Sequence, residues 1–183
     1  GRPTALLARY ELEKEWGKGT RGGVYPGTDP KLGRQVAIKT MAWSQEFAAD
    51  ELQDVKQRFF SEAAAAGRLS HPNIVTMFDA GEEHDLAYIA MEFLKGADLV
   101  AYTKADNLLP LPTVMGIIAR VADALDYAHK QNVVHRDIKP GNIMYDPPTA
   151  SAKVAAFGIA RITDSRKTQH GMALATGSEK TPA

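Results

Sequence analysis

The pattern of apolar and polar positions divides the chain into a strand-rich first half and a more helical second half. Short apolar runs bounded by turn residues predict strands at 35–39 and 86–91. Between them, apolar residues recur at three- and four-residue spacing from about position 50 to 69, which predicts one amphipathic helix packed on the sheet. Glu62 falls beside the apolar face of that helix.

A second helix is predicted to begin at Pro112 and Thr113, because proline is tolerated in the first helical turn. Its apolar residues form a broad stripe that is expected to be buried core: Val114, Ile117, Ile118, Val121, Leu125 and Ala128. Short strands are predicted at 143–145 and 153–155, and the polar stretch 163–183 is predicted to be a loop. The pattern therefore predicts an α+β fold.

Composition excludes several functional classes. Lys plus Arg and Asp plus Glu are 22 each, so no overall field attracts nucleic acid or an anionic membrane. The chain has no cysteine, which removes disulfides, zinc-thiolate sites and thiol catalysis. No segment approaches the roughly 18 continuous apolar residues of a membrane span. At 183 residues with 44% hydrophobic and 24% charged content, we expect a globular cytoplasmic domain or two small lobes.

A glycine motif precedes the first predicted strand. The segment Gly17-Lys18-Gly19-Thr20-Arg21-Gly22 matches G-x-G-x-x-G, which alone fits a dinucleotide-binding turn or an ordinary hairpin. In the dinucleotide fold the glycines open a helix, whereas here 23–27 has the pattern of a strand and turn. This context favours a glycine hairpin that presents backbone N–H groups to an anion.

A lysine lies among apolar neighbours on the next predicted strand. Lys39 ends the run Val36-Ala37-Ile38-Lys39, where an unpaired ammonium group would be costly to desolvate. A carboxylate partner is therefore expected, and Glu62 is the candidate.

The strongest chemical signal is the segment His135-Arg136-Asp137-Ile138-Lys139-Pro140-Gly141-Asn142, called the 135–142 loop below. Phosphoryl transfer needs a carboxylate to accept a hydroxyl proton, a cation near the phosphate and oxygen ligands for Mg²⁺. Asp137, Lys139 and Asn142 supply these groups within six residues. A polar turn after a helix is the structural alternative, and His135 is expected to be a packing residue.

The glycine motif, the Lys39 strand, the helix with Glu62 and the 135–142 loop follow one another as in the protein Ser/Thr kinase family. The resemblance is greatest to the bacterial, eukaryotic-like members of that family. The resemblance extends from Tyr10 to the end of the chain. Segments 58–62, 71–75 and 91–93 are similar to the family's αC helix, the turn after it, and the gatekeeper and hinge. The resemblance implies a two-lobe fold, with an N-lobe at 1–94 that contains an antiparallel sheet and one helix. A partial, mainly helical C-lobe would occupy 95–183.

The resemblance also implies ATP and Mg²⁺ as cofactors. The expected nucleotide contacts are Gly17, Lys18, Gly19, Gly22, Val24, Ala37, Lys39, Met91, Glu92, Leu94 and Met144. Val24, Ala37 and Met144 would enclose adenine, the backbone at 92–94 would bond its edge, and Lys39, paired with Glu62, would hold the α- and β-phosphates. Asp137 would be the base, Lys139 the γ-phosphate contact and Asn142 a metal ligand. Arg136 would bind a phosphorylated activation loop.

Two departures from the family pattern bear on activity. Ala156 precedes Phe157-Gly158 where the family has the metal-binding Asp, which predicts a rate loss of about a thousandfold or more. The sequence also ends at Ala183, where the family pattern has an acidic residue and then further helices. We therefore expect an ATP-binding Ser/Thr kinase region with impaired catalysis. The alternative is a non-catalytic pseudokinase that serves as a binding or regulatory scaffold. A plain dinucleotide-binding function is disfavoured by the strand pattern after the glycine motif. The sequence does not specify protein substrates or regulatory partners.

Overall fold

The computed structural model describes residues 4–13 and 22–155. Its first part is a six-stranded antiparallel sheet with the strand order β1-β2-β3-β4-β6-β5. The strands are β1 (Thr4–Leu7), β2 (Tyr10–Glu13), β3 (Gly22–Asp29), β4 (Arg34–Ala42), β5 (Met77–Glu83) and β6 (Leu86–Glu92). The predicted strands at 35–39 and 86–91 are thus confirmed; β4 extends beyond its predicted range at both ends, and β6 is one residue longer than predicted.

Two helices connect β4 to β5. The short α1 (Trp43–Glu46) follows β4 directly, and α2 (Leu52–Gly67) is the amphipathic helix predicted at 50–69. The buried face of α2 packs against the sheet through Phe59, which contacts the Trp43 ring edge to face at 5.3 Å between centroids. Burial of such aromatic side chains is a main source of stability for this layer.

The second part is built around the long helix α3 (Leu111–Lys130). A 3-10 turn at Leu99–Tyr102 precedes α3, and another at Pro140–Asn142 follows it. A small antiparallel sheet contains β7 (Ala97–Asp98), β8 (Ile143–Asp146) and β9 (Ser151–Val154), in that order. The last strand was predicted two residues later, at 153–155, because its first residues are weakly apolar.

Buried residues form three clusters. One lies between the first sheet and α2, and a second covers the opposite face of that sheet. The third joins α3 to β8 and β9 and includes Ala66, Leu69 and Ile74 from the end of α2 and the chain that follows it. This third cluster connects the two parts of the fold. A backbone bridge between Ile74 and Val154 reinforces the connection.

The apolar stripe on α3 is only partly core. Ile117, Val121 and Ala128 are buried as predicted, but Ile118 is 55% exposed and the prediction of a buried Ile118 was wrong. The stripe is wider than the surface that β8 and β9 cover. Its outer edge lines an apolar groove of about 690 Å³ that also contains Leu108.

The expected lobe boundary between positions 94 and 95 lies in the connection from β6 to β7 and stays a prediction. Within this connection Gly96 has φ of +96°, and a Cβ atom there would collide with the carbonyl oxygen of Tyr145. Only glycine allows both the left-handed backbone and this close approach. The predicted loop at 163–183 lies outside the described residues, and within them no helix has the length and apolarity needed to cross a membrane.

Candidate nucleotide and phosphoryl-transfer site

Strand register places four expected nucleotide contacts on one face of the first sheet. Val24 pairs with Lys39 across β3 and β4, and Ala37 pairs with Met91 across β4 and β6. Residues directly paired across antiparallel strands point to the same face, and Ala37 and Lys39, two positions apart, share that face as well. Val24 is 59% exposed, so this face of the sheet is open to solvent at Val24.

Helix α2 covers the other end of the same face. Ile89, the cross-strand partner of Lys39, and Met41, the next residue on this face of β4, are both buried against α2. Glu62 lies on α2 and is half-buried. The fold therefore brings Lys39 and Glu62 to the same side of the sheet, as their expected pairing requires.

Met144 lies on the surface that faces the end of β6. It pairs with Lys153 across β8 and β9, and the neighbours of both residues along their strands are buried toward α3. The two side chains therefore project from the opposite face. The Lys153 Nζ atom lies 3.0 Å from Glu92 Oε1, so this face is turned toward the hinge, where the half-buried Leu94 follows.

His135 organises the 135–142 loop from inside the protein. The imidazole is 1% exposed, its Nε2 is 2.7 Å from the carbonyl oxygen of Ala155, and its Nδ1 accepts the backbone N–H of Asp137 at 3.1 Å. A ring that accepts at Nδ1 and donates at Nε2 is neutral. Burial lowers the pKa of His135, which agrees with this arrangement. The expected packing residue is thus also a hydrogen-bonding one.

The three predicted phosphoryl-transfer residues meet in this loop. Lys139 Nζ is 3.2 Å from Asp137 Oδ2. Asn142 Nδ2 donates to the Asp137 backbone oxygen at 2.9 Å and to Asp137 Oδ2 at 3.3 Å. These two hydrogen bonds use only the side-chain nitrogen of Asn142. Its side-chain oxygen Oδ1 therefore remains available as a ligand for a metal ion. The Ala155 backbone N–H donates to the Asn142 carbonyl at 2.8 Å, so the loop is also bonded to the residue before Ala156.

Arg136 has φ of +70°, a left-handed conformation that is uncommon for residues other than glycine. Its side chain is exposed beside Asp137. Unusual backbone conformations concentrate at functional sites, where the surrounding contacts maintain them. Here the bonds of His135 and Asn142 on either side provide those contacts.

Some expected residues lie outside the described part of the chain. These are Gly17, Lys18, Gly19, Ala156 and Phe157. Gly22 is the first residue of β3, and the strands that flank the glycine motif, β2 and β3, pair antiparallel. A strand and not a helix therefore follows the glycines. Residues 4–13 and 22–155 contain no cluster of three or more His, Asp or Glu side chains that could hold a metal ion.

Sequence reasoning missed the side-chain contact between Lys153 and Glu92, and the role of Asn73. Lys153 donates to both carboxylate oxygens of Glu92, and Asn73 Nδ2 donates to the Ala152 carbonyl at 3.0 Å. The alternation of polar and apolar residues from Ser151 to Val154 is a signal in the sequence that Lys153 faces away from the core. It did not indicate the partner, because 61 residues separate the two side chains.

Comparison with known proteins agrees with this geometry. The sequence profile of the family described as Protein kinase domain matches residues 10–179. Serine/threonine-protein kinase PrkC of Bacillus subtilis is 38% identical over 165 residues, which are 90% of this chain and 25% of PrkC. Serine/threonine-protein kinase PknA of Mycobacterium tuberculosis is 36% identical, over 97% of this chain and 41% of PknA. The chain therefore spans about a quarter of the length of PrkC and about two fifths of the length of PknA.

Among solved structures, the Mycobacterium tuberculosis PknI kinase domain superposes with a TM-score of 0.71 at 30% sequence identity. The superposition covers 85% of this chain and 62% of the PknI chain. This match confirms the predicted two-lobe, protein-kinase-like fold.

Proposed function

This chain belongs to the protein kinase domain family, with bacterial serine/threonine kinases among its relatives, and we propose that it binds ATP between the first sheet and the 135–142 loop. By family, the reaction is transfer of the ATP γ-phosphate to a Ser or Thr hydroxyl. The observation that carries the proposal is the shared sheet face of Val24, Ala37, Lys39 and Met91. Since the reaction consumes ATP, we place it in the cytoplasm.

The adenine ring would bind on the apolar part of this surface. Val24 and Ala37 form one wall, and Met144 projects from β8 toward the hinge on the other side. Nucleotide sites combine such apolar walls with a few polar groups that fix orientation. The backbone from Glu92 to Leu94 supplies those groups at the adenine edge, and the glycine motif would approach the phosphates.

The phosphates would extend toward Lys39 at one end and the 135–142 loop at the other. Lys39, with Glu62 on the same side, would bind the α- and β-phosphates. Asp137 would accept the proton of the attacking Ser or Thr hydroxyl. The hydroxyl oxygen would form a bond to the γ-phosphorus as the bond between that phosphorus and ADP breaks. The contact between Lys139 and Asp137 supports a role for Lys139 as the cation that would stabilise the negative charge developing on the transferred group.

Magnesium fits the available residues only in part. Asn142 offers Oδ1, and Mg²⁺ prefers oxygen ligands that include carboxylates and substrate phosphates. Position 156, where the family has a carboxylate, is alanine. We infer a weakened metal site in which the phosphates provide most of the oxygen ligands. The expected consequence is phosphotransfer slower by about a thousandfold or more, from the loss of metal stabilisation.

A non-catalytic binding or regulatory scaffold is the second candidate, and Ala156 is the observation that favours it. In that case the fold would present a surface to a partner protein, and the nucleotide would be a structural ligand or absent. The retained set of Lys39, Glu62, Asp137 and Asn142 supports ATP binding over a scaffold without nucleotide, since a scaffold has no physical need for this set.

Thermal unfolding with ATP tests the proposal. A ligand that binds only the folded chain stabilises it by about 2.7 kcal/mol at a concentration of 100 times Kd. We expect ATP to raise the unfolding midpoint, with little further increase from Mg²⁺. Lys39→Met is expected to reduce the ATP shift because it removes a phosphate contact, while Lys130→Met on the exposed end of α3 serves as the matched control. A cooperative transition without an ATP shift in the unmodified chain would favour the scaffold.

A further inference from the structure

One carboxylate on β5, an edge strand of the first sheet, joins three elements of the fold. Trp43 Nε1, from α1, donates to Glu82 Oε2 at 3.1 Å, and Lys56 Nζ, from α2, lies 3.0 Å from the same oxygen. The Lys56 ammonium group also lies 5.5 Å from the centre of the Trp43 ring, within the range of a cation–π contact. The helices α1 and α2 thus meet at one acceptor atom of β5.

Trp43 is the fixed member of this group. It is 1% exposed, and its ring packs edge to face on Phe59 of α2. The Trp43 backbone N–H donates to the Asp85 carbonyl at 2.8 Å, and the N–H of the next residue, Ser44, donates to the Asp85 carboxylate at 3.1 Å. The main chain at the indole is therefore bonded to the turn between β5 and β6, which gives Lys56 and Glu82 a rigid base.

The packing of α2 is uneven along its length. In its first half the buried positions are Val55 and Phe59, whereas in its second half they are Ala63 and Ala66. Burial and dispersion increase with the number of apolar atoms, so the alanine methyl groups contribute little to fixing the rotation of the helix. Glu62 lies in this second half. The contacts of the first half therefore largely determine the direction in which α2 presents Glu62.

Lys56 transmits the position of the first half to Glu62. The two residues are six positions apart, which is about 9 Å along the axis of a regular helix. When such a helix shifts as a unit, a rotation at Lys56 turns Glu62 through the same angle and moves its carboxylate away from Lys39.

We propose that Glu82 is a positioning residue for the expected Lys39–Glu62 pair. By holding Trp43 and Lys56, its carboxylate fixes the rotation of α2 on the sheet. Glu82 acts at a distance from the nucleotide, because β6 lies between β5 and the strand that carries Lys39, so the two strands are about 10 Å apart. The nucleotide half of the proposal rests on the proposed function, whereas the attachment of α2 does not.

The two contacts of Glu82 differ in kind. The side chains of Lys56 and Glu82 are 35% and 40% exposed, so water and salt weaken this ion pair. The bond from Trp43 joins a neutral donor to a charged acceptor, which makes it stronger than a bond between neutral groups. Without the carboxylate, the N–H of a buried indole loses its acceptor, and the ring is then more stable when displaced toward water. Loss of Glu82 therefore loosens both helices.

The test compares Glu82→Ala, which removes both contacts, with Lys56→Met and Trp43→Phe, which remove one each, in the 183-residue chain. Glu83→Ala is the matched control, because it makes the same substitution one residue further along β5. Glu83 points to the opposite face of the strand, where its Oε2 accepts the Ala8 N–H. Hydrogen exchange is followed in peptides that cover α2, with α3 as the internal reference.

ATP affinity is measured by calorimetry for the same variants, each with and without Glu62→Gln. This second background separates positioning from general loosening of the fold. If Glu82 acts through Glu62, Glu82→Ala has little left to disturb once the Glu62 carboxylate is gone. A merely structural role would reduce ATP affinity by the same factor in both backgrounds, because independent effects add as free energies.

We expect Glu82→Ala to raise exchange in α2 and to weaken ATP binding, each by about three- to tenfold, the cost of ordering about one side chain on binding. Lys56→Met and Trp43→Phe should each give a smaller change in the same direction. Glu83→Ala should leave exchange in α2 constant. In the Glu62→Gln background, Glu82→Ala should change ATP affinity by less than about twofold.

The proposal is overturned if exchange in α2 is unchanged in Glu82→Ala, or if it rises equally in Glu83→Ala or in α3. An equal loss of ATP affinity in both backgrounds, or unchanged affinity despite faster exchange in α2, overturns the positioning role. If the unmodified chain binds no ATP, the proposed function fails together with the nucleotide half, and the exchange data still decide whether Glu82 holds α2.

Discussion

Replacement of the buried His135 should change both the stability of the fold and its dependence on pH. The imidazole bonds the Asp137 N–H and the Ala155 carbonyl, and leucine of similar size can bond neither. A buried polar group left without a partner costs about 1–3 kcal/mol, so His135→Leu should destabilise the chain by about 2–6 kcal/mol. His135→Gln should cost less, because its amide can retain one of the bonds.

The pH dependence follows from the lowered pKa of His135, which results mainly from burial. Between the ordinary value of 6.5 and the lower value in the folded chain, the unfolded chain binds more protons. The stabilisation by neutral His135 is therefore fully present above pH 6.5 and is lost as the pH falls through this window. The slope can reach about 1.4 kcal/mol per pH unit for one proton.

Urea unfolding of the unmodified chain and of both variants, from about pH 7.5 to about pH 5.5, measures this effect as a difference in free energy. The stability advantage of the unmodified chain should shrink as the pH falls. His129→Gln, at the exposed C-terminal end of α3, replaces an exposed imidazole by the same side chain and is the matched control for the substitution. An advantage over His135→Gln that stays constant across this range would refute the buried, neutral imidazole.

Three further predictions concern packing, backbone and metal. Phe59→Ala should reduce the free energy of unfolding by about 3–5 kcal/mol, since Phe59 is 1% exposed and packs on Trp43; a loss below about 1 kcal/mol in chemical denaturation would contradict this packing. Gly96→Ala should destabilise by more than about 1 kcal/mol because of its positive φ and the Tyr145 carbonyl, whereas Gly67→Ala, at the end of α2 with nothing near its Cβ position, should stabilise slightly. If Gly96→Ala and Gly67→Ala change the thermal unfolding midpoint equally, the positive φ of Gly96 and its close approach to the Tyr145 carbonyl are contradicted. Ala156→Asp should make ATP affinity dependent on Mg²⁺, with a gain of about tenfold by calorimetry, and an unchanged Mg²⁺ response would show that position 156 does not contact the metal.

The elements with strong periodicity could be predicted from the sequence. The helix at 50–69 and the one beginning at 112–113 correspond to α2 and α3, because an apolar face of several turns specifies a helix locally. Strand β1 was not predicted, since its four residues carry little signal and its formation depends on pairing with β2. The expected burial of Ile118 was wrong, because periodicity shows which residues share a face and not how far a neighbouring element covers that face.

In the candidate site, too, local sequence pattern predicts some features, and others depend on contacts between distant residues. The order and spacing of Asp137, Lys139 and Asn142 predict a phosphoryl-transfer role, which stays a prediction, and the structure brings the three side chains together. Their supports could not be predicted, because His135 binds Ala155 across 20 residues and Lys153 binds Glu92 across 61. Such contacts depend on how distant elements pack, and no local pattern encodes them.

The attachment of the 135–142 loop to Ala155 has a consequence for the evolution of this domain. One bond uses the main-chain carbonyl of Ala155 and the other its N–H, so neither depends on the side chain at the following position. An aspartate codon and an alanine codon can differ by a single nucleotide. Position 156 can therefore exchange a carboxylate for a methyl group by one point mutation while these main-chain supports of the loop persist.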